Sequence, residues 1–174
     1  MEKLAVIGVV VFSQKGIPEL KAAMGKLKGL GSLEKVSSIY SIRGTHYVPD
    51  QIHDLRTDGQ FIGLSLALTL HTADRASELL SKIKMLESEL TSTINKRSLE
   101  LILMVYEGEA VMTPNLTLPY PDLLKRPEIT IPAAETWGDY YHPVYKESLN
   151  ALAKRSAAGS WGEFFAHSKS ALDF

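Results

Sequence analysis

The chain has 174 residues, of which 45% are apolar and 22% charged; 19 basic and 20 acidic residues leave a formal net charge of -1. That composition suits one globular domain, and the charge balance gives no general electrostatic reason to expect a nucleic-acid or anionic-membrane partner. There is no cysteine, which excludes disulfides, thiolate nucleophiles and thiolate-bound metals. No apolar run reaches the ~18 residues of a spanning helix, and the first residues carry no small-residue cleavage site, so a soluble, cytoplasmic chain without a signal peptide is expected.

Residues 4–12 (LAVIGVVVF) form an apolar, β-branched run too short for a membrane, which predicts a strand buried on both faces. After Gly16, Pro18 suits the first turn of a helix. Leu20, Ala23, Met24 and Leu27 then keep helical spacing until Gly29 and Gly31 stop it. Residues 36–42 (VSSIYSI) predict a second strand. A polar loop to about residue 60 follows, holding His46, Asp50, His53, Asp54 and Asp58; it is long for a structureless connection. Its histidine spacing matches no standard metal pattern. Residues 61–71 (FIGLSLALTLH) alternate strictly. Ile62, Leu64, Leu66, Leu68 and Leu70 line one face, and small residues line the other.

Asp74 is placed to cap a second helix whose buried side carries Ala76, Leu79, Leu80, Ile83, Leu86 and Leu90. Residues 98–106 (SLELILMVY) predict a fourth strand, with Leu99, Leu101, Leu103 and Val105 opposite Glu100, Ile102, Met104 and Tyr106. The proline-spaced residues 114–132 predict an extended stretch with at most short strands. A last helix is expected over residues 145–155, and a tail from residue 156 holds Trp161, Phe164, Phe165 and Phe174, which suggest docking. The order is strand, helix, strand, strand, helix, strand: an α+β, ferredoxin-like split βαβ (βαββαβ) sandwich. It predicts an antiparallel sheet with two helices on one face and an open face opposite. Residues 1–155 are expected to form this domain, and 156–174 a C-terminal extension.

No phosphate loop, dinucleotide or metal-histidine signature occurs. The informative stretch is 97–143: an arginine before the strand LELILMVY, then LTLPYPDLLKRP, IPAAE and HP. This resembles the second half of the 6-hydroxymethyl-dihydropterin pyrophosphokinase family. That family has an arginine, an Asp-x-Asp strand, a Leu-x-Leu-Pro-His-Pro turn, a second arginine and a Pro-Leu-x-Glu segment. The resemblance reaches more faintly to Val36–Tyr40 and to residues 72–80.

The resemblance implies transfer of pyrophosphate from ATP to the hydroxymethyl group of a reduced pterin. It also implies two magnesium ions, held by the Asp-x-Asp carboxylates against the phosphates. Glu100 and Ile102 occupy the two carboxylate positions here, so Glu100 is the metal candidate. Arg97 and Arg126 match the phosphate-binding arginines, and Phe61 and Tyr120 are candidates for ligand contact. Tyr120 replaces the turn histidine. Glu128 replaces the aromatic that stacks on the pterin, and Gly63 or Ser65 the asparagine that reads it. The Arg/Trp-rich catalytic loop is reduced to residues 90–96. Three readings follow: a diverged, catalytically impaired member that binds a nucleotide, a pterin-like ring or a partner; an active MgATP-dependent kinase with a rebuilt metal site; or an interaction module, for example a homo-oligomer through the sheet edge or tail.

Overall fold

The computed structural model describes residues 1–12, 16–43, 61–94, 99–157 and 159–173. The expected α+β architecture is present. Strand β1 (Lys3–Val11) is followed by α1 (Gly16–Leu27), β2 (Ser32–Val36), β3 (Ile39–Arg43), β4 (Phe61–Thr72), α2 (Ala76–Ile94) and β5 (Leu99–Tyr106). Their antiparallel sheet has the order β5-β1-β4-β3, with β2 also paired to β4. In place of one strand over 36–42, β2 and β3 are separated at Ser37 and Ser38. The Ser37 backbone N–H donates to the Ala67 carbonyl, and its hydroxyl accepts from the Ala67 N–H, both at 2.9 Å. A serine side chain competing for backbone groups in this way interrupts a ladder.

One sheet face carries Ile7, Val9, Leu66, Leu68 and Leu70 against Leu20, Met24 and Leu27 of α1 and Leu79 and Ile83 of α2, all buried. The opposite face, expected to be open, is covered. It packs Val6, Val10, Ile102, Met104 and Val105 against Ile129 and Ala133 of α3 (Pro127–Trp137) and Leu149 and Leu152 of α4 (Leu149–Ser156). Gly8 permits this approach: a Cβ there would meet Met104 Sδ at 3.1 Å and Ile129 Cγ2 at 3.2 Å. Val105 also lies on this second face, not with the leucines. A bulge sets Val6 opposite Val105 but Ile7 opposite Leu103, so Met104 is the extra residue and the alternation reverses beyond it.

Residues 114–132 are only partly extended. The short strands β6 (Val111–Met112) and β7 (Thr117–Leu118) pair as a hairpin, but α3 begins at Pro127 and contains Pro132. Pro127 takes the first helical position, where no N–H is needed. Pro132 costs one internal hydrogen bond, which the burial of Ile129, Thr130 and Ala133 offsets. The last predicted helix starts at Leu149, where the Ser148 hydroxyl accepts the Ala151 N–H at 3.1 Å. Beyond it, β8 (Gly162–Ala166) adds to the sheet edge at β3, and α5 (Ser168–Leu172) follows. Trp161 is buried with its ring 5.6 Å from that of Tyr40, while Phe164 and Phe165 remain half exposed.

Candidate functional site

Three pieces of chain converge at the β5 end of the second face. Strand β5 contributes Glu100, the turn after β7 contributes Tyr120, and the start of α3 contributes Arg126 and Glu128. The Tyr120 N–H donates to the Met104 carbonyl at 2.8 Å, fastening the turn to the strand. The Arg126 carbonyl accepts the N–H groups of Ile129 and Thr130, and the Thr130 hydroxyl donates to the Leu123 carbonyl at 2.6 Å. These bonds fix the start of α3 and hold Arg126 over Glu100.

Arg126 is only 3% exposed. Its Nε donates to Glu128 Oε1 at 2.6 Å. Its Nη1 donates to Glu100 Oε2 at 3.1 Å and to the Tyr120 hydroxyl at 3.2 Å, and its Nη2 lies 2.7 Å from Glu100 Oε1. Burial alone would depress the guanidinium, but hydrogen bonding and charge from Glu100, followed by Glu128, hold it above the ordinary arginine range. Burial pushes the Tyr120 phenol up, against the opposing pull of Arg126. One guanidinium is thus enclosed by two carboxylates, a pairing geometry in which Arg is favoured over Lys.

A cleft of about 370 Å³ opens beside this cluster along the edge of β5. Leu101, Leu103, Pro114 and Leu116 supply apolar wall, and Lys84, Glu87, Glu100, Asn115, Thr117 and Tyr120 supply polar groups. Glu87 of α2 accepts the Leu101 N–H at 2.7 Å, satisfying a donor on the strand edge. Burial raises its carboxyl; the Leu101 N–H opposes that shift and the charge of Glu100 adds to it.

Of the sequence candidates, Glu100, Tyr120 and Arg126 are brought together. Arg97 and the Phe61 side chain lie outside the described residues, as do His46, Asp50, His53, Asp54 and Asp58 of the polar loop. Ile102 is buried among apolar side chains and touches the cleft. The tail aromatic Trp161 packs at the far sheet edge and does not line the cleft. Sequence reasoning missed Glu128 and Glu87 as members of the site. The Arg-Pro-Glu at 126–128 does carry a signal, because proline followed by an acidic residue marks a helix start. Among the described residues no group of three acidic or histidine side chains is placed to hold a metal ion. No helix among them is long and apolar enough to cross a membrane.

No family model matches the chain. It is 28% identical over 131 residues to the 2-amino-4-hydroxy-6-hydroxymethyldihydropteridine pyrophosphokinase of Aquifex aeolicus, an alignment covering 73% of this chain and 76% of that protein. Among solved structures it resembles the wild-type HPPK-DHPS of Plasmodium falciparum with SDX-DHP, at a TM-score of 0.66 and 12% identity over 88% of the chain. The same protein with pterin and p-hydroxybenzoate gives a TM-score of 0.65 and 11% identity over 89% of the chain. The chain spans 43% of the length of each of those structures. Fold and cluster define an α+β domain of the pyrophosphokinase architecture, with an arginine–carboxylate cluster at the end of its edge strand. In sequence the chain is similar to a 2-amino-4-hydroxy-6-hydroxymethyldihydropteridine pyrophosphokinase, and in fold to the HPPK-DHPS structures.

Proposed function

We propose that this chain is a ligand-binding member of the pyrophosphokinase family in which efficient pyrophosphate transfer has been lost. The observation that carries this reading is the pairing of Arg126 with Glu100 and Glu128. An arginine that is to hold phosphate oxygens needs free donors, and a carboxylate that is to hold magnesium needs free oxygens. Here both Glu100 oxygens face the guanidinium, and Nε and Nη1 of Arg126 already donate to protein oxygens. Ile102, at the second carboxylate position, offers no ligand atom. The described residues therefore do not fit two magnesium ions. Among the described residues Arg126 faces two carboxylates, and the cleft beside it holds Glu87 and Glu100 against Lys84, a balance that disfavours a polyphosphate at this point.

Binding itself has support. The cleft volume falls in the range of small-molecule sites, and apolar walls with a few polar groups suit a flat heteroaromatic ring. We infer a nucleoside or pterin-like ring as the ligand. Calorimetric titration with adenosine, 6-hydroxymethylpterin and MgATP, followed by chromatographic assay for AMP, tests this. Saturable binding of a ring, no tightening by magnesium and triphosphate, and no AMP are expected. Magnesium-dependent ATP binding with AMP release on adding hydroxymethyl-dihydropterin would establish an active kinase instead, and no binding of any probe would remove the binding role.

A further inference from the structure

A second cleft, of about 300 Å³, lies on the other side of the segment from Thr117 to Pro121, between the β6–β7 hairpin and the turn at residues 142–147. Both walls are tied internally. In the hairpin Val111 pairs with Leu118 and Met112 with Thr117, and the Thr113 N–H donates to the Leu116 carbonyl at 2.9 Å. In the turn the His142 N–H donates to the Glu147 carbonyl at 2.8 Å, and the Lys146 N–H to the His142 carbonyl at 2.9 Å. Lys146 accepts a φ of 57° to close the loop, and Tyr141 bridges to Ser148. A cleft with walls fixed in this way is preformed, which limits the ordering cost of binding.

Its chemistry is unlike that of the cleft at Glu100. The lining is mainly apolar, and among the described residues no acidic side chain, lysine or arginine contributes to it. Met112 and Val144 are 87% and 71% exposed, so two large apolar side chains stand in water at its rim. His142 lines the cleft and is 4% exposed. Its Nδ1 accepts the N–H groups of both Val144 and Tyr145 at 3.1 Å. An imidazole nitrogen that accepts two N–H groups carries no proton, so the ring proton sits on Nε2. Burial lowers the His142 pKa, which keeps the ring in this neutral form at neutral pH. Among the described residues the imidazole makes hydrogen bonds through Nδ1 alone, and Nε2 is not one of the fully buried polar atoms left without a partner, so Nε2–H is open to a ligand.

We propose that this cleft is a separate small-molecule site that takes a compact, neutral ring bearing one hydrogen-bond acceptor, which His142 Nε2–H engages. An apolar lining without formal charge favours a neutral ligand, since a charged one would lose its hydration without a counter-charge. A single donor in such a lining discriminates between rings with and without an acceptor, because a ring that covers the donor without accepting from it takes the N–H out of water at a cost.

Acetophenone is the probe, with ethylbenzene as a ring of similar shape that lacks the acceptor; both are titrated into the full chain and followed by ¹H–¹⁵N NMR. Saturable shifts at Met112, Val144 and Tyr145 are expected with an affinity on the order of millimolar, the range for a fragment of this size. Ethylbenzene is expected to bind about five-fold more weakly or worse. The exposed substitution Val144→Asp leaves the core alone and is expected to weaken acetophenone by about ten-fold. Shifts that scatter or fail to saturate, equal affinity for the two rings, or an unaffected Val144→Asp variant would each overturn the proposal. Competition by adenosine would place the probe in the Glu100 cleft and also overturn it, while leaving the proposed nucleotide site intact.

Discussion

Replacing Arg126 by methionine tests whether the cluster at the start of α3 is a buried charge network. Methionine keeps much of the apolar stem and removes three polar nitrogens. Those nitrogens serve Glu128 at 2.6 Å, Glu100 at 2.7 Å and the Tyr120 hydroxyl at 3.2 Å. The Glu128 side chain is 2% exposed and that of Glu100 is 30% exposed. Water can solvate Glu100 after the change, but Glu128 keeps a buried charge without its guanidinium. Removing one partner of a buried pair costs about 3–5 kcal/mol. For a domain of this size that lowers the melting temperature by about 6–20 °C. Urea unfolding followed through Trp137 and Trp161 reads the loss directly, provided the slope with denaturant is unchanged. Adding Glu128→Gln to the Arg126→Met background should recover part of the loss, giving a coupling of roughly 1–3 kcal/mol in the double-mutant cycle. A single-mutant cost below about 1 kcal/mol, the level of a surface pair, or strict additivity in the cycle would refute the reasoning.

Two further outcomes follow from other contacts. His142 should titrate below the ordinary histidine value of about 6.5, because burial disfavours its charged form. Its native state therefore binds fewer protons than the unfolded chain. The associated stability is fully present above about pH 6.5 and is lost as pH falls through the lower folded-state value. NMR titration of the imidazole, with denaturant midpoints measured across the same window, checks the direction. Tyr40 donates its hydroxyl to Glu135, whose other oxygen accepts the Ser38 N–H at 2.9 Å. Burial, and then the Glu135 hydrogen bond, raise the phenol well above its usual range. Tyr40→Phe should cost about 1–2 kcal/mol in urea unfolding. An ultraviolet titration should show one fewer late-ionising tyrosine in Tyr40→Phe than in the wild-type chain, above the range near pH ~10 where ordinary tyrosines ionise.

Most of the layer order was legible from the sequence, because long periodic segments announce their faces. The alternating leucines of β4 and the helical spacing of α1 and α2 led directly to the first core. The second core was not legible, for two local reasons. The prolines at 127 and 132 read as breaks, yet one sits where a helix needs no N–H and the other is held by burial. The bulge at Met104 moves Val105 to the other face, and nothing in an apolar run marks where an extra residue will be accommodated. The site shows the same division. Arg126, Glu100 and Tyr120 could be singled out by resemblance, but their mutual pairing depends on α3, which the proline spacing concealed. Glu128 read only as the loss of an aromatic. Its position two residues after Arg126, on the first turn of a helix, makes it the guanidinium's nearest partner.

The addition of β8 to β3 has a consequence for how the chain reaches its native state. Ile42 is opposite Gly162 in that ladder, and Tyr40 opposite Phe164. The two strands are separated by most of the sequence, so closing the loop between them carries a large entropic cost that only late contacts can repay. Until residues 162–166 have emerged during synthesis, the outer side of β3 is an unprotected edge able to capture a strand from another chain. The last strand therefore acts as a folding-time shield, and shortening the chain before it should raise aggregation during refolding more than it lowers the stability of what has already folded.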